Sequence, residues 1–339
     1  MYRYATVDAA VVHLAQGQPA ALAPGWVRVR VTACGLCGTD LHILHGMRLP
    51  GGASYPVRPG HEVAGVVVEV GQGVSQVLVS QQVVLHPLRT CGECPDCISG
   101  AEQRCPNARI LGIEDAGGLA DEVVWPASRV VPAGGLPPEQ AAILADAGAT
   151  AYRALRAAAL SPEGSLCILG AGGVGTQVAA IARATVPGVH IAAVVGSAAS
   201  AERLASLVDV VEVGVSGLSQ RMRQAGFRFD AVIDFSGQED APAEGARLLR
   251  PGGTLVLGSV SPSELRLGPG VMLQSRELTV RGVYTSTIDD LRSVVDLATT
   301  GLIDLAGSVT HQFPLDRVDE AFRTLDERPP GMVRVVVTP

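Results

Sequence analysis

The sequence predicts an α/β protein of two domains, one of which is built on a doubly wound parallel sheet. The chain has 339 residues, which is more than one hydrophobic core usually serves. With 47% hydrophobic residues, 40 glycines and only 4% aromatic residues, its composition is typical of an Ala/Val/Leu-rich α/β protein. In the second half, strand-like and helix-like segments alternate, and this order favours a parallel sheet.

A nucleotide-binding motif opens this second half. A buried-strand pattern at 165–169 runs directly into Gly170-Ala-Gly172-Gly173-Val174-Gly175, and a helix-like run follows at 178–184. The glycines allow a tight turn and close approach of a pyrophosphate to a helix N-terminus, where free N–H groups favour an anion. The strand, loop and helix together predict a dinucleotide site. Further strands are expected at 189–195, 229–235 and 253–257, and helices at 201–207 and 242–249.

Potential metal ligands are concentrated in the first half. A strand pattern at 27–32 leads into Cys34-Gly-Leu-Cys37-Gly-Thr-Asp-Leu-His42, which combines thiols, a hydroxyl, a carboxylate and an imidazole. A thiolate binds zinc because the metal displaces its proton, and the hydroxyl and imidazole could then carry a proton away. His61 comes just before a second strand pattern at 63–70 and is the natural second ligand. The alternatives are a redox pair or buried cysteines for the Cys-x-x-Cys segment, and a structural role for His61.

A second cysteine cluster has the spacing of a closed zinc site. It consists of Cys91, Cys94, Cys97 and Cys105. Four thiolates satisfy tetrahedral zinc and leave no position open for a substrate, so the predicted role is structural. A zinc ribbon that binds nucleic acid is the alternative, but the segment contains acidic residues and no basic cluster.

Asp146 lies in an Ala-rich helical pattern that is interrupted near Gly148. A carboxylate among apolar residues requires a compensating charge, which a cation could supply, and otherwise it would cap the next helix. From the pattern alone, the helix cap is the favoured interpretation.

Composition excludes several functions. The chain has no lysine, so all 26 basic residues are arginines and no lysine nucleophile is available. A net charge of -7 disfavours nucleic acid and anionic membranes as partners and favours a small molecule. No apolar run reaches membrane-spanning length and the N-terminus lacks a signal-peptide pattern, so we expect a cytoplasmic protein.

Taken together, these motifs resemble the zinc-dependent alcohol dehydrogenases of the medium-chain dehydrogenase/reductase family over nearly the whole chain. The resemblance implies a Rossmann-type domain at 151–285, and a mainly β, GroES-like catalytic domain with a small zinc lobe at 1–150 and 286–339. It also implies two zinc ions per chain and a homotetramer or homodimer.

The resemblance assigns roles to individual residues. It implies that Cys37, His61 and Asp146 hold the catalytic zinc. Asp146 is the third ligand, at a position where relatives carry Cys, Glu or Asp. Thr39 would contact the substrate oxygen and His42 would pass its proton to solvent, before hydride moves to the nicotinamide. The resemblance also implies Asp40 as partner of the zinc-bound histidine, Glu62 beside the metal, the cysteine cluster as structural zinc site, and Arg334 at the cofactor pyrophosphate. For Arg334 the alternative is a strand-face arginine.

The residues expected near the cofactor ribose depart from the pattern that is usual for NAD. A carboxylate about 20 residues past the glycine loop normally binds the ribose 2′-hydroxyl of NAD. Here Gly196 and Ser197 occupy that region, and Arg203 could supply charge to a 2′-phosphate. The sequence therefore slightly favours NADP(H) over NAD(H), with a solvent-facing Arg203 as the alternative.

Three functions remain open at this point. The first is an NAD(P)-dependent alcohol dehydrogenase or carbonyl reductase, which Thr39 and His42 favour because a proton relay serves catalysis. The second is a reductase of an activated C=C or C=N bond, and the third is a zinc protein that senses nucleotide without turnover. Leu44, Leu49, His86 and Met272 are candidates for the substrate pocket, and the substrate itself stays open.

Overall fold

The computed structural model describes residues 2–8, 10–261 and 263–339. Its strands, in chain order, are β1 (Tyr2–Asp8), β2 (Val11–Gly17), β3 (Trp26–Leu36), β4 (Glu62–Val70), β5 (Gln82–Leu85), β6 (Leu88–Arg89), β7 (Arg109–Ile110), β8 (Glu122–Pro126), β9 (Val130–Pro132), β10 (Ser165–Leu169), β11 (His190–Val195), β12 (Val210–Val213), β13 (Phe229–Asp234), β14 (Leu249–Leu257), β15 (Thr279–Gly282), β16 (His311–Pro314) and β17 (Val335–Thr338).

The α-helices are α1 (Gly38–Leu44), α2 (Pro95–Ile98), α3 (Pro138–Ile143), α4 (Ala149–Ala158), α5 (Gly173–Thr185), α6 (Ala198–Leu204), α7 (Leu218–Gln224), α8 (Ala241–Leu248), α9 (Gly270–Ser275), α10 (Ile288–Thr299) and α11 (Val318–Glu327). Short 3₁₀ turns cover Glu102–Arg104, Ala127–Arg129 and Leu315–Arg317, and a π-helical turn covers Leu144–Gly148. The chain forms two compact units, Met1–Ala149 with Ser286–Pro339, and Thr150–Thr285.

The first unit is built on a mainly antiparallel sheet. Its strands follow the order β16-β17-β3-β4-β5-β9, and β8 pairs with the first part of β3. Among the described residues of this sheet, β16 and β17 form the one parallel pair. Val27, Val29 and Val31 alternate along β3 toward a core that contains the buried Trp125, so this strand has one apolar face.

β3 extends further than the expected 27–32. Its last residues, Cys34 to Leu36, pair with β17 from the C-terminal end of the chain. This pairing continues the ladder as far as Leu36, so Cys34 lies within the strand and Cys37 comes just after it. The expected strand at 63–70 is present as β4, which begins one residue earlier at Glu62.

The second unit confirms the predicted doubly wound parallel sheet. Its strand order is β12-β11-β10-β13-β14-β15, and all neighbouring pairs are parallel. The strand order reverses between β10 and β13, because β11 and β12 are added on one side of β10 and β13 to β15 on the other. Such sheets bind ligands at this position, beyond the carboxyl ends of the strands. Cys167 is fully buried in β10 and serves as a small apolar residue of the core.

The predicted helix at 201–207 is shifted in the structure. α6 starts three residues earlier, at Ala198, because Ser197 caps its N-terminus and accepts a hydrogen bond from the backbone N–H of Ser200. Arg203 therefore lies in the last turn of α6 and does not begin a helix. Among the described residues, no helix combines the length and apolar character needed to cross a bilayer.

Candidate active site

The N-terminus of α1 fixes the position of Cys37. Cys37 is the N-cap residue, and its Sγ accepts a hydrogen bond from the backbone N–H of Thr39 over 3.3 Å. In return, the Asp40 carboxylate accepts a bond of 2.9 Å from the backbone N–H of Cys37. This reciprocal capping box satisfies two free donors of the helix and holds the thiol in one orientation.

Gly60 allows the chain to bring His61 close to the Cys37 thiol. Its φ is +102°, and a Cβ added there would lie 2.7 Å from Cys34 Sγ and 2.7 Å from the backbone N of Leu119. A side chain at this position would clash with both, so the residue before His61 has to be glycine. β4 then starts at Glu62 and anchors the imidazole to the sheet.

Four potential ligands converge at this point. Cys37, His61, Glu62 and Asp146 each offer a ligand atom, and these atoms all lie within 4.8 Å of one another. His61 Nε2 is 3.0 Å from Cys37 Sγ and 3.7 Å from Asp146 Oδ2. On the other side of the ring, His61 Nδ1 faces Asp40 Oδ1 at 3.7 Å, and within the described residues neither of these two buried atoms has a hydrogen-bond partner.

This donor set fits a zinc ion. Thiolate, imidazole and carboxylate are its usual ligands, and a carboxylate behind a ligating histidine is a common second contact. Burial lowers the pKa of His61, but the charges of Cys37 and Asp40 and hydrogen bonds to Asp146 and Cys37 outweigh it, so the pKa is raised well above the usual value. The same anionic surroundings favour a bound cation.

Asp146 reaches the cluster from a π-helical turn. The Ala-rich run forms α3, continues through the turn Leu144–Gly148 and enters α4. A π turn inserts an extra residue into a helix and often occurs at functional sites. Asp146 is partly exposed while its neighbours in this turn are buried, and it does not act as the N-cap that the pattern also allowed.

Glu62 pairs with Arg334, which lies immediately before β17. Both side chains are buried. Burial raises the pKa of Glu62, and the Arg334 guanidinium counteracts this. The pairing was not expected from the sequence, because 272 positions separate the two residues and neither has a local motif that identifies the other.

Thr39 and His42 lie three residues apart on α1 and thus share a face of the helix. Thr39 is half-buried and His42 is exposed. This places a hydroxyl next to the Cys37 cap and an imidazole closer to solvent. His86, a pocket candidate from the sequence, is instead fully buried and contacts the backbone oxygen and the hydroxyl of Ser286 at 3.2 Å.

The second cysteine cluster forms a compact four-thiol site. The Sγ atoms of Cys91, Cys94, Cys97 and Cys105 lie within 4.8 Å of one another, and none of these residues forms a disulfide. Backbone N–H groups of Glu93 and Cys94 lower the pKa of Cys91 to about 6. The loop therefore favours a thiolate, which is the form that binds zinc.

The glycine loop of the second unit has the predicted arrangement. Gly170 has φ +82°, and a Cβ there would lie 2.5 Å from the backbone of Ser236. Gly175 packs against Gly170, where a Cβ would lie 2.5 Å from its carbonyl oxygen, whereas a Cβ on Gly172 would meet nothing within 4 Å. Gly173 and Val174 form the first turn of α5, with Gly172 as N-cap. The loop is thus closed on its sheet side and open at Gly172.

Gly196 and Ser197 follow β11 directly, so no carboxylate ends this strand. The Ser197 hydroxyl lies 3.1 Å from Ser200 Oγ. Arg203 is half-buried, and its Nε is a buried atom without a hydrogen-bond partner in the described part of the chain. Burial lowers the pKa of Arg203.

Comparisons with known proteins agree with this geometry. Residues 23–137 match the model of the alcohol dehydrogenase GroES-like domain, and residues 173–300 match that of the zinc-binding dehydrogenases. The NAD-dependent alcohol dehydrogenase of Sulfolobus acidocaldarius is 33% identical over 315 residues, which cover 89% of each chain. The L-galactonate-5-dehydrogenase of Escherichia coli is 29% identical over 298 residues, covering 87% of this chain and 86% of the other.

A solved structure covers the entire chain. It is the NADP-bound structure of a Sinorhizobium meliloti 1021 protein assigned as a zinc-binding dehydrogenase, with a TM-score of 0.91, 25% identity and coverage of 100% and 99%. The GroES-like and Rossmann-type parts of the predicted fold are thereby confirmed, and the dehydrogenase relatives favour an enzyme over a nucleotide sensor. The chain belongs to the zinc-dependent alcohol dehydrogenases of the medium-chain dehydrogenase/reductase family, which transfer hydride between an alcohol or carbonyl substrate and a nicotinamide cofactor.

Proposed function

We propose that this enzyme is an NADP(H)-preferring alcohol dehydrogenase or carbonyl reductase with one catalytic and one structural zinc per chain. The convergence of Cys37, His61 and Asp146 beside the Thr39 face of α1 is the observation that supports it most. We assign the catalytic zinc to these three residues and the structural zinc to Cys91, Cys94, Cys97 and Cys105. When bound, the catalytic zinc supplies a Lewis acid for the substrate oxygen, and the nicotinamide supplies the hydride acceptor.

The protein's own residues orient the reactants and move the proton. Asp40 holds the backbone of Cys37 and faces His61 Nδ1, which fixes both ligands. The Thr39 hydroxyl receives the proton of the substrate alcohol and His42, being exposed, releases it to solvent. Glu62 stays paired with Arg334 beside the ligands, and whether Arg334 also contacts the cofactor stays a prediction.

For the cofactor, we assign the pyrophosphate to the loop formed by Gly170, Gly172, Gly173, Val174 and Gly175 at the N-terminus of α5. The preference for NADP(H) rests on the strand end at Gly196 and Ser197, which has no carboxylate, and on Arg203, whose Nε has no hydrogen-bond partner among the described residues. The Sinorhizobium meliloti structure holds NADP, whereas the Sulfolobus acidocaldarius relative is named as NAD-dependent. Relatives therefore support either cofactor, and the proposal depends on these residues.

We also propose a homodimer or homotetramer. β15 is one edge of the parallel sheet, and several large apolar side chains near it in the sequence are exposed, namely Val260, Leu265, Val271 and Tyr284. Such side chains favour association with another copy of the unit. Light scattering would measure the mass, and a monomer would contradict the proposal. The cytoplasmic location stays a prediction.

The test of the function is a panel of alcohols and carbonyl compounds, followed by nicotinamide absorbance. We expect turnover of at least one small-molecule pair, and a 10²- to 10⁴-fold loss of kcat in Thr39→Val, roughly the contribution of general acid–base catalysis. Valine keeps the shape of threonine but has no hydroxyl, so cofactor binding should be unchanged. Full activity in Thr39→Val would remove Thr39 from the proton path. Reduction of C=C or C=N compounds alone would instead favour the alternative chemistry.

A further inference from the structure

A buried carboxylate connects the four-cysteine lobe to the start of α10. Glu102 lies in the lobe between Cys97 and Cys105, and only 8% of its side chain is exposed. Its Oε1 accepts a hydrogen bond of 2.9 Å from the backbone N–H of Ile288, the first residue of α10. This N–H is a helix-terminal donor without a partner inside the helix, so the bond holds the N-terminus of α10 to the lobe.

The other contacts of Glu102 fix its position. Arg129 Nη1 donates to Glu102 Oε1 over 3.2 Å, and Arg129 Nη2 donates to Thr90 Oγ1 over 2.6 Å. Thr90 immediately precedes Cys91. A charged pair with this little exposure is strongly oriented, because breaking it would leave a buried charge alone. The location of the carboxylate thus depends on how the lobe is folded.

α10 in turn packs on the turn that carries Asp146. Leu291, Val294 and Val295 form its buried face, and a Cβ on Gly148 would lie 3.4 Å from a methyl group of Val294. A π turn is an uncommon backbone geometry that persists where the surrounding structure holds it. The Val294 face of α10 provides this support on one side of the turn.

We propose that Glu102 is a positioning residue for Asp146: it holds α10 against the lobe, and α10 holds the turn that carries the ligand. This rests on the proposed role of Asp146 as a zinc ligand. The four-cysteine lobe then contributes to metal binding at the catalytic site as well as to stability, although Glu102 itself does not contact the ligands.

The experiment measures zinc release to a chromogenic chelator, together with the zinc that each protein retains. We expect Glu102→Ala to release the catalytic zinc about tenfold faster while the lobe zinc is retained, since residues that orient ligands typically change metal affinity 10- to 100-fold. Glu102→Gln keeps an oxygen acceptor for the Ile288 N–H but removes the charge opposite Arg129, so it should release zinc more slowly than Glu102→Ala. Glu93→Ala, which removes an exposed carboxylate of the same lobe, is the matched control and should also behave like the wild type.

A double variant separates this path from a general loss of stability. Every variant is first reconstituted with zinc, and if Glu102 acts through Asp146, Glu102→Ala should cause no further acceleration of zinc release in an Asp146→Ala background. An equal acceleration in both backgrounds, or none in the wild-type background, would overturn the inference. If Asp146→Ala alone releases zinc no faster than the wild type, the proposed ligand role is wrong instead.

Glu102→Asp provides a test that does not depend on the alanine variant retaining its lobe zinc. Aspartate keeps the charge but withdraws the oxygen by one methylene, so the bond to Ile288 should weaken. Faster zinc release from Glu102→Asp than from Glu102→Gln is expected, and equal rates would overturn the inference.

Discussion

The Sγ atom of Cys37 lies 3.0 Å from Nε2 of His61, although one residue caps α1 and the other precedes β4. A thiolate sulfur and an imidazole nitrogen are both usual zinc ligands, and Asp146 offers a further donor atom within 4.8 Å of them. The four thiols of the lobe form a separate set. The chain therefore contains one open and one closed donor set.

We predict two zinc ions per chain, because each set fits one ion. Asp146→Ala should lose the catalytic zinc, whereas Cys94→Ser should lose the lobe zinc and mainly lower stability. Metal analysis after washing with a chelator checks both. A stoichiometry near one that survives Asp146→Ala but not Cys94→Ser would show that only the lobe binds metal.

A second prediction concerns the proton path. His42→Ala should slow alcohol oxidation most at lower pH, where hydroxide cannot replace the imidazole as proton acceptor. Cofactor affinity should be unchanged. The measurement is kcat against pH, and His45→Ala, which removes another exposed imidazole one turn away, is the control. A loss that is equal at every pH would assign a structural role to His42.

The local motifs could be predicted from the sequence because they depend on neighbouring residues. The glycine loop after β10 is one example, and the placement of the candidate ligands Cys37 and His61 beside their strands is another. Contacts between distant segments could not be predicted in this way. Glu102 and Ile288 are 186 positions apart, and nothing near either residue specifies the other.

Element ends depend on the same long-range contacts. The expected strand at 27–32 stops short because the ladder beyond it depends on pairing with two distant segments, β4 as far as Gly35 and β17 as far as Leu36. β12 and β15, with four residues each, are too short to show a clear period, and neighbouring strands of the sheet hold them in place. The π turn at Asp146 could be recognised only as an interrupted helix pattern.

His86 should make the protein sensitive to acid. Burial, and then the charge of Arg129, lower the pKa of His86 from 6.5 to about 4. Its Nδ1 accepts from the backbone N–H of Leu88 over 3.4 Å, and its Nε2 contacts Ser286. A second ring proton would lie on Nδ1, where two N–H groups would then point at each other. The neutral ring stabilises the fold fully above pH 6.5, and this contribution is lost as pH falls to about 4. The free energy of unfolding falls by about 3 kcal/mol over this range.

Urea unfolding at several pH values measures this effect. His86→Gln should be less stable than the wild type at pH 8, and the difference should shrink between pH 6.5 and 4. Protonation of the zinc ligands affects both proteins, so the difference isolates His86. His13→Gln, which changes an exposed histidine of β2, is the matched control. A constant difference for His86→Gln would contradict the prediction.

The last prediction concerns the choice between NADP(H) and NAD(H). β11 ends at Val195 without a carboxylate, which removes the group that binds the ribose 2′-hydroxyl of NAD and repels a 2′-phosphate. Arg203 is half-buried on α6, and its Nε has no partner in the described segments. A charge-assisted hydrogen bond from Arg203 to the phosphate contributes about 1.5 to 3 kcal/mol, or roughly a 10- to 100-fold preference for NADP.

We therefore expect kcat/KM on any accepted substrate to be about 10- to 100-fold higher with NADP, and Arg203→Ala to remove most of this ratio. Glu202→Ala, at the exposed neighbouring position, is the control. It should not lower the ratio of kcat/KM with NADP to that with NAD, because a carboxylate repels a phosphate and its removal can only favour phosphate binding. A wild-type preference for NAD would show that the cofactor proposal is wrong. A preference for NADP that persists in Arg203→Ala would instead assign phosphate recognition to Ser197 and the backbone of the strand end, because these are the other polar groups next to Gly196.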